Sequence, residues 1–440
     1  MILKIRKSTD PILREPCSEV ADFDHQFQFL IDNMIETMRK DKGVGLAAPQ
    51  IGISKKIFVC EFEGDPDENL PAFPLTVICN PKIVKESKDN KFMVEGCLSF
   101  PGRELLIKRP KQITIEGFDR HGEKITIKAD GLYSRVIQHE NDHLHSTLFI
   151  DKLHSIDTVF IGTGSLGLKS LELLSSDKQY NILAVITGEV SASGRNKDKV
   201  GNPISELAKK LKLKTIIAND IKSKQIIDQI KQSKPHLGIM ADFGQIIPAE
   251  ILNIFKYGVV NIHPSLLPRY RGPSPIQNTI LSGDKKTGVT LILANEKCDA
   301  GDIISQVVVK LSLGETSGTL KEYLSDVGAN LLLNSIPYYI SGDLKPAIQS
   351  EKGVSMTQRL KKEDGFVDKN TPAIEVERKI RAFDVWPKVY TIVNGKRIQL
   401  LSSHFEEDGQ FVLDRVKPEG GGEMTYEEYL RGRGEKLTFS

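Results

Sequence analysis

Residues 138–143 read Gln138-His139-Glu140-Asn141-Asp142-His143, in a segment whose pattern predicts a helix. Two histidines four positions apart fall on one face of a helix, so both imidazoles can reach the same metal ion. Glu140 would then project beside the open metal position, where a carboxylate can act as a general base. A solvated helix face rich in His and Glu gives the same pattern, and two other segments decide between these interpretations.

Two segments upstream of this helix supply a third metal ligand and a polar amide. The thiol comes from the run Glu95-Gly96-Cys97-Leu98-Ser99. One thiolate and two imidazoles leave a fourth position open for water, as in catalytic rather than structural metal sites. The second segment reads Gly43-Val44-Gly45-Leu46-Ala47-Ala48-Pro49-Gln50-Ile51-Gly52. Its small residues let the backbone approach a ligand closely, and the Gln50 amide can donate to a developing oxyanion.

Taken together, these three motifs closely resemble those of the peptide deformylases, over about residues 1–153. The resemblance implies an α+β domain that removes formyl from the N-terminal formylmethionine of nascent, ribosome-associated peptides. The implied metal ligands are Cys97, His139 and His143. The implied ion is Fe2+, with Zn2+ or Ni2+ as substitutes, although the ligand chemistry alone would equally suggest zinc. Glu140 would transfer the proton, while Gln50 and the backbone N–H of Leu98 stabilise the tetrahedral oxygen.

Apolar residues near these motifs are candidates for the pocket that takes the methionine side chain. Leu132 and Val136 precede His139 on the predicted helix by seven and three positions. The full set of substrate-binding candidates is Val44, Gly45, Met93, Leu132 and Val136. Apolar residues at this spacing are as commonly plain core, so both interpretations stay open.

Length shows that the chain holds more than this first part. At 440 residues it should contain roughly two to four domains. With 39% hydrophobic and 27% charged residues it has the composition of an ordinary globular protein. A net charge of +2 means that any nucleic-acid contact must come from local basic patches. Five cysteines without a disulfide-like spacing, and no apolar run of about 18 residues, predict a cytoplasmic protein without membrane contact.

From residue 157 onward, apolar strand-like runs alternate with helical patterns, which predicts a parallel α/β sheet. The predicted strands are 157–161, 182–187, 236–241 and 258–262, and the predicted helices are 166–175, 203–212 and 222–232. The turn Gly162–Gly167 fits the glycine pattern of a dinucleotide site, with Glu189 near the end of the next strand. A tight strand-to-helix turn explains the same glycines, and we expect no nicotinamide cofactor.

A polar loop follows the fourth of these strands. It reads Asn261-Ile262-His263-Pro264-Ser265-Leu266-Leu267-Pro268-Arg269-Tyr270-Arg271-Gly272, and an acidic turn, Cys298-Asp299-Ala300-Gly301-Asp302, lies downstream. Asn261 and His263 are two apart at a strand end, so their side chains point to the same side. A buried Asn-x-His pair can be merely a satisfied polar pair. The loop that follows, whose backbone is restricted by prolines, and the acidic turn favour a catalytic site instead.

This second set of motifs resembles the methionyl-tRNA formyltransferases, over about residues 157–440. The resemblance implies a Rossmann-like α/β domain at 157–345 and a small OB-like β-barrel at 350–440 that supports tRNA. The formyl donor would be 10-formyltetrahydrofolate and the acceptor initiator methionyl-tRNA. The implied catalytic residues are Asn261, His263 and Asp299. The implied folate-pocket residues are Ser265, Leu266, Leu267 and Pro268.

A basic loop after the second strand occupies the place where this family contacts tRNA. Its cationic candidates are Arg195, Lys197 and Lys199, suited to phosphates and an unpaired acceptor end. A solvated run of charges is the alternative explanation.

The whole chain is therefore predicted to be a bifunctional enzyme that both installs and removes the formyl group of initiator methionine. Two alternatives keep an active deformylase. In one, the second part only binds tRNA or ribosomes; in the other, it formylates a sugar-nucleotide amine. The complete set of Asn261, His263 and Asp299 argues against the first alternative. The C-terminal runs Lys417-Pro418-Glu419-Gly420 and Met424 to Gly432, which resemble the end of the methionyl-tRNA formyltransferases, argue against the second.

Overall fold

The computed structural model describes residues 1–67, 70–188, 201–433 and 436–440. The chain divides into two compact units, Met1–Ser155 with Ile340–Asp343, and Ile156–Tyr339 with Leu344–Ser440. Among the described residues, no helix is both long and apolar enough to cross a membrane.

The first unit combines an antiparallel sheet with a separate hairpin and two long helices. Its strands are β1 (Gly45–Ala47), β2 (Ile57–Phe62), β3 (Phe73–Glu86), β4 (Asn90–Gly96), β5 (Glu104–Pro110), β6 (Gln112–Phe118) and β7 (Lys124–Asp130). Its helices are α1 (His25–Lys40) and α2 (Gly131–Leu144). The sheet runs in the order β1-β2-β3-β6-β7, and β4 pairs with β5 in the hairpin.

Helix α2 begins where the β7 strand ends and carries the metal-ligand candidates into the interior. The Asp130 side chain accepts a hydrogen bond from Gly131 N at 2.6 Å, which caps the helix. The helix packs against β1, β2 and β7. Its buried residues include charged and polar side chains such as Arg135, His139 and Glu140. Buried charges require partners, so this helix must lie in a polar network rather than in a plain apolar core.

The second unit begins with a mixed sheet covered by helices. Its strands are β8 (Ile156–Gly162), β9 (Tyr180–Thr187), β10 (Thr215–Ile217), β11 (Leu237–Ala241), β12 (Val259–His263), β13 (Lys286–Leu293) and β14 (Ile303–Lys310). Its helices are α3 (Leu168–Ser176), α4 (Pro203–Lys210), α5 (Lys224–Ser233), α6 (Ala249–Leu252), α7 (Pro275–Leu281) and α8 (Ser317–Ser341). The sheet order is β10-β9-β8-β11-β12-β13-β14.

The strand order confirms the predicted Rossmann-like α/β architecture. Strands β10, β9, β8, β11 and β12 pair in parallel, whereas β13 and β14 are antiparallel additions that the sequence analysis did not foresee. The order reverses between β8 and β11, because β9 lies on one side of β8 and β11 on the other. In open α/β sheets, a crevice forms at the carboxyl ends of the strands at such a reversal, and ligands bind there.

The C-terminal part of this unit is an antiparallel β domain, as predicted. Its strands are β15 (Val389–Val393), β16 (Lys396–Phe405), β17 (Phe411–Pro418) and β18 (Met424–Thr425), paired in that order. Its helices are α9 (Ala373–Ala382) and α10 (Tyr426–Arg433). The sequence predicts Thr371 as N-cap of α9, whereas the structure starts the helix one residue later with Pro372 at the N-cap.

Candidate active sites

The structure brings Cys97, His139 and His143 together. Their candidate ligand atoms all lie within 4.8 Å of one another, and Cys97 Sγ is 3.4 Å from His143 Nε2. Both histidines come from α2, and Cys97 follows the last residue of β4. One sulfur and two imidazole nitrogens form a donor set that suits Zn2+ or Fe2+. The residues present therefore fit a divalent transition-metal ion.

The buried Glu95 orients this cluster although it is not a ligand. One of its oxygens lies 2.9 Å from His139 Nδ1, which leaves Nε2 of that ring for a metal. Arg109 binds the same carboxylate at 2.7 and 2.9 Å, and Arg135 binds it at 2.9 Å. Burial alone would raise the pKa of Glu95, but the hydrogen bonds from His139 and Arg109 outweigh it and hold the pKa well below its usual range. Glu95 is therefore a carboxylate anion at neutral pH.

Gln50 is held with its amide group toward the metal-ligand cluster. Its Oε1 accepts a hydrogen bond from Ala47 N at 2.7 Å. Its Nε2 then faces Cys97 Sγ and Ser99 Oγ, each at 3.4 Å. A donor fixed in this way can stabilise negative charge that develops next to the metal position.

Glu140 is buried beside the same cluster and has a free acceptor. Its Oε2 atom has no hydrogen-bond partner among the described residues. Burial raises the pKa of this carboxyl group to about 7, close to the value that favours a general base at neutral pH. Gly45 lies directly against it, because a Cβ at that position would be 2.4 Å from Glu140 Oε1. Only glycine leaves room there for the carboxylate as it stands.

The second unit contains a large cavity at the carboxyl ends of β8, β11 and β12. Its volume is about 1490 Å³. Its wall includes Thr163 after β8, Asp242 after β11, and both Asn261 and His263 from β12. The cavity thus lies where the strand order reverses, the position that the topology favours for a ligand.

Asn261, His263 and Asp299 converge on one wall of this cavity. Asp299 Oδ1 accepts a hydrogen bond from Asn261 Nδ2 at 3.1 Å and lies 3.6 Å from His263 Nδ1. The other oxygen of Asp299 accepts from Gly272 N at 2.8 Å, which fixes the carboxylate. His263 Nε2 lies 2.9 Å from the carbonyl oxygen of Tyr270. An amide donor, an imidazole and a carboxylate in contact can orient a carbonyl group and move a proton.

Comparisons with known proteins identify the families that the two parts of the chain resemble. The family model of polypeptide deformylases matches residues 2–159. The model of formyl transferases matches residues 157–336, and the model of the formyl transferase C-terminal domain matches residues 359–410. The chain therefore carries a polypeptide deformylase domain and belongs, in its second part, to the formyl transferases.

Individual relatives cover each domain almost completely. A methionyl-tRNA formyltransferase from Roseiflexus castenholzii is 32% identical over 301 residues, 63% of this chain and 96% of the relative. One from Bacillus mycoides is 34% identical over 298 residues, 62% of this chain and 95% of the relative. The crystal structure of a peptide deformylase from Thermotoga maritima is 36% identical, with 35% of this chain and 99% of that chain covered and a TM-score of 0.32. A Plasmodium falciparum peptide deformylase structure is 42% identical, with 34% and 85% covered and a TM-score of 0.31.

The structure separates the candidates for the methionine pocket of the deformylase domain. Val136 is buried in a hydrophobic cluster, and Val44 and Leu132 pack against it. Met93 lies on β4 opposite Ile107 of β5 and is not part of that cluster. Gly45 contacts the Glu140 side chain. Val44, Leu132 and Val136 therefore lie together, and the assignment of all five candidates to the methionine pocket stays a prediction.

The structure does not bring the predicted folate-pocket residues of the formyltransferase domain to its cavity. The described lining includes Pro264 and then Gly272 and Pro273, but not Ser265, Leu266, Leu267 or Pro268. The Ser265 hydroxyl instead donates to Arg269 O at 2.8 Å, and Leu267 O accepts from Gln306 of β14 at 3.0 Å. These residues tie the loop to the antiparallel strands, which were absent from the sequence-based prediction. That Ser265, Leu266, Leu267 and Pro268 help to form a folate pocket stays a prediction.

The basic residues predicted to contact tRNA, Arg195, Lys197 and Lys199, lie outside the described residues, as does Glu189. The glycine turn before them is described. A Cβ on Gly164 would lie 1.8 Å from Asp242 Oδ2, so this carboxylate sits directly against the turn.

Several residues that organise the two sites were not identified from the sequence. In the deformylase domain they are Glu95, Arg109 and Arg135. Arg135 precedes His139 by four positions, so its place on the same helix face was available as a signal. In the formyltransferase domain, Gln349 donates to Asp299 O at 2.9 Å and accepts from Arg271 at 2.9 Å. The long sequence separation of Gln349 from Asp299 gives no such signal.

Proposed function

We propose that the chain is a bifunctional enzyme of N-formylmethionine metabolism. The deformylase domain would remove formyl from the N-terminal formylmethionine of nascent peptides. The formyltransferase domain would transfer formyl from 10-formyltetrahydrofolate to initiator methionyl-tRNA. The proposal is supported by the two separate side-chain clusters and by the families to which the two parts belong.

For deformylation, Cys97, His139 and His143 would hold a divalent ion, which we propose is Fe2+, with Zn2+ or Ni2+ able to replace it. Such an ion supplies a Lewis acid and activates water at neutral pH. Glu140 would accept the proton of the attacking water and return it to the leaving amine. Gln50, with the backbone N–H of Leu98, would donate hydrogen bonds to the tetrahedral oxygen.

For formyl transfer, the amine nitrogen of methionyl-tRNA would form a bond to the formyl carbon. The bond from that carbon to the folate nitrogen breaks, and the amine proton passes to the folate nitrogen. Asn261 would donate to the formyl oxygen, while His263 relays the proton. Asp299 would position both, since it contacts the amide and faces the imidazole.

The observation that carries the transfer activity is the convergence of Asn261, His263 and Asp299 on the wall of a single cavity. A module that only bound tRNA would not need this arrangement. The test is an assay of the purified full chain with labelled 10-formyltetrahydrofolate and charged initiator tRNA, alongside formate release from a formyl-Met peptide. We expect both activities. Deformylation without formyl transfer would reduce the second domain to a binding module.

We also propose domain limits of 1–153 for the deformylase, 157–345 for the catalytic formyltransferase domain and 350–440 for the tRNA-supporting domain. We further infer a cytoplasmic location in which the deformylase meets ribosome-associated nascent chains. The free thiols support this inference, since all five cysteines are unpaired and a thiolate ligand needs a reducing setting.

A further inference from the structure

An exposed tryptophan lies on the wall of the formyltransferase cavity. Trp386 is 53% exposed, yet it lines the same cavity as Asn261, His263 and Asp299. It comes from the loop between α9 and β15, in the C-terminal β domain. A large aromatic ring that stays exposed in a substrate cavity is available to contact a ligand.

The loop that carries Trp386 is tied to the start of α8 through Asp384 and is braced by a contact within the loop, so the ring is presented from an ordered backbone. Phe383 is 2% exposed, and Asp384 accepts hydrogen bonds from the hydroxyl of Ser317 and the backbone N of Gly318 at the start of α8. Within the loop, Lys388 Nζ donates to Asp384 O. Ordering this loop before binding lowers the entropic cost of any contact that Trp386 makes.

Arg359 lines the same cavity as Trp386. Val385 lies beside Gly318, since a Cβ atom added to Gly318 would be 3.5 Å from Val385 Cγ2. One turn along α8, Lys321 pairs with Asp242 at 2.6 Å. Two residues after Asp242, a Cβ on Gly244 would be 3.6 Å from Arg359 Nη2.

The guanidinium of Arg359 is exposed and makes no hydrogen bond or ion pair with the residues that the structure describes. The cavity wall therefore offers a flat aromatic ring and a guanidinium that no described carboxylate pairs with directly, among lining side chains of both charges.

The cavity has room for more than one small molecule. Sites for a single small ligand measure roughly 300–1000 Å³, whereas this cavity measures about 1490 Å³. A ring and a cation on one wall match the two chemical parts of an unpaired nucleotide, a base that stacks and a phosphate that needs a counter-charge.

We infer that Trp386 stacks on an unpaired nucleobase at the acceptor end of the tRNA, with Arg359 against a neighbouring phosphate. This inference rests on the proposed transfer of formyl to methionyl-tRNA and identifies a binding residue for that substrate. Trp386 acts on tRNA binding and not on the chemical step, because Asn261, His263 and Asp299 make up the reacting wall.

Steady-state kinetics of the full chain test the inference. Trp386→Ala should raise the KM for methionyl-tRNA about tenfold, the order of effect of losing one stacked base, with kcat and the KM for 10-formyltetrahydrofolate unchanged. Trp386→Phe should restore most of the loss because it keeps an aromatic face. Ile392→Ala is the matched control, since Ile392 is 56% exposed in the same β domain but does not line the cavity. Its kinetics should equal those of the unmodified chain.

Fluorescence gives an independent test, because Trp386 is the only tryptophan of the chain. An RNA hairpin with a single-stranded 3′ end that terminates in adenosine should quench its emission, and a blunt hairpin of the same stem should not. An unchanged tRNA KM in Trp386→Ala, or a raised folate KM in its place, would overturn the inference while leaving the proposed function intact. Absence of formyl transfer in the unmodified chain would instead reject the proposed function. In that case the fluorescence comparison of the two hairpins alone would show whether Trp386 stacks on an unpaired base.

Discussion

Replacing Gly45 with alanine should reduce deformylation without removing any catalytic group. The new methyl carbon would lie 2.4 Å from Glu140 Oε1, 2.8 Å from Cδ and 2.9 Å from Cγ. Real Cβ contacts essentially never fall below 3.0 Å, so the carboxylate oxygen must retreat by at least about 0.6 Å. Gly45 does not have a positive φ, so alanine is compatible with the backbone there. The substitution therefore acts on the position of Glu140.

A displacement of about 1 Å at a reacting group costs on the order of 100-fold in rate. We therefore expect kcat/KM for a formyl-Met peptide to fall roughly 10- to 100-fold, which is about 1.4–2.7 kcal/mol of transition-state stabilisation. Formate release measures the rate; metal content should stay unchanged, while overpacking at this buried position should lower the stability of the domain by about 1–3 kcal/mol. Gly96→Ala is the matched control, because a Cβ there meets nothing within 4 Å. Normal turnover in Gly45→Ala would refute the assignment of Glu140 as the general base.

Three further predictions distinguish the deformylase activity from the formyl-transfer activity and test the residues that position the metal ligands. Glu95→Gln removes the charge that binds two buried arginines, so the free energy of unfolding of the deformylase domain should fall by about 3–5 kcal/mol. Metal affinity should fall about 10- to 100-fold. Denaturant melts and metal titration measure these two quantities, and an unchanged affinity would contradict the orienting role of Glu95. His263→Ala should reduce formyl transfer by orders of magnitude while formate release from the peptide stays normal, and a loss of both would argue against independent sites. Treatment of the full chain with a chelator should abolish deformylation only, and a parallel loss of formyl transfer would show that the second site also needs metal.

The sequence predicts the architecture well where a local pattern sets it. The runs that became β8, β9, β11 and β12 were located within two residues, because buried parallel strands are short and uniformly apolar. The sequence pattern did not predict strands β13 and β14, and therefore did not predict the contacts that they make with the loop after His263.

The site residues show the same division between local and long-range information. His139 and His143 share a helix face, and Asn261 and His263 share the side of a strand, so spacing alone indicates which side chains meet. The partners that hold them come from distant parts of the chain. Arg109 reaches Glu95 across a hairpin, and Gln349 reaches Asp299 only through the tertiary fold. No spacing rule predicts such contacts, because the fold has to be known first.

The carboxylate of Glu95 also limits how this domain can change over evolutionary time. Arg109 and Arg135 both depend on it, and Arg109 also pairs with Asp142 at 2.5 Å, so the buried charges balance only as a set. A single replacement leaves a neighbouring side chain with an uncompensated buried charge. A double replacement, if made one residue at a time, has to pass through such a destabilised single variant. Lineages that keep the fold will therefore tend to inherit these residues together. The positions of the metal ligands are then preserved by side chains that never touch the metal.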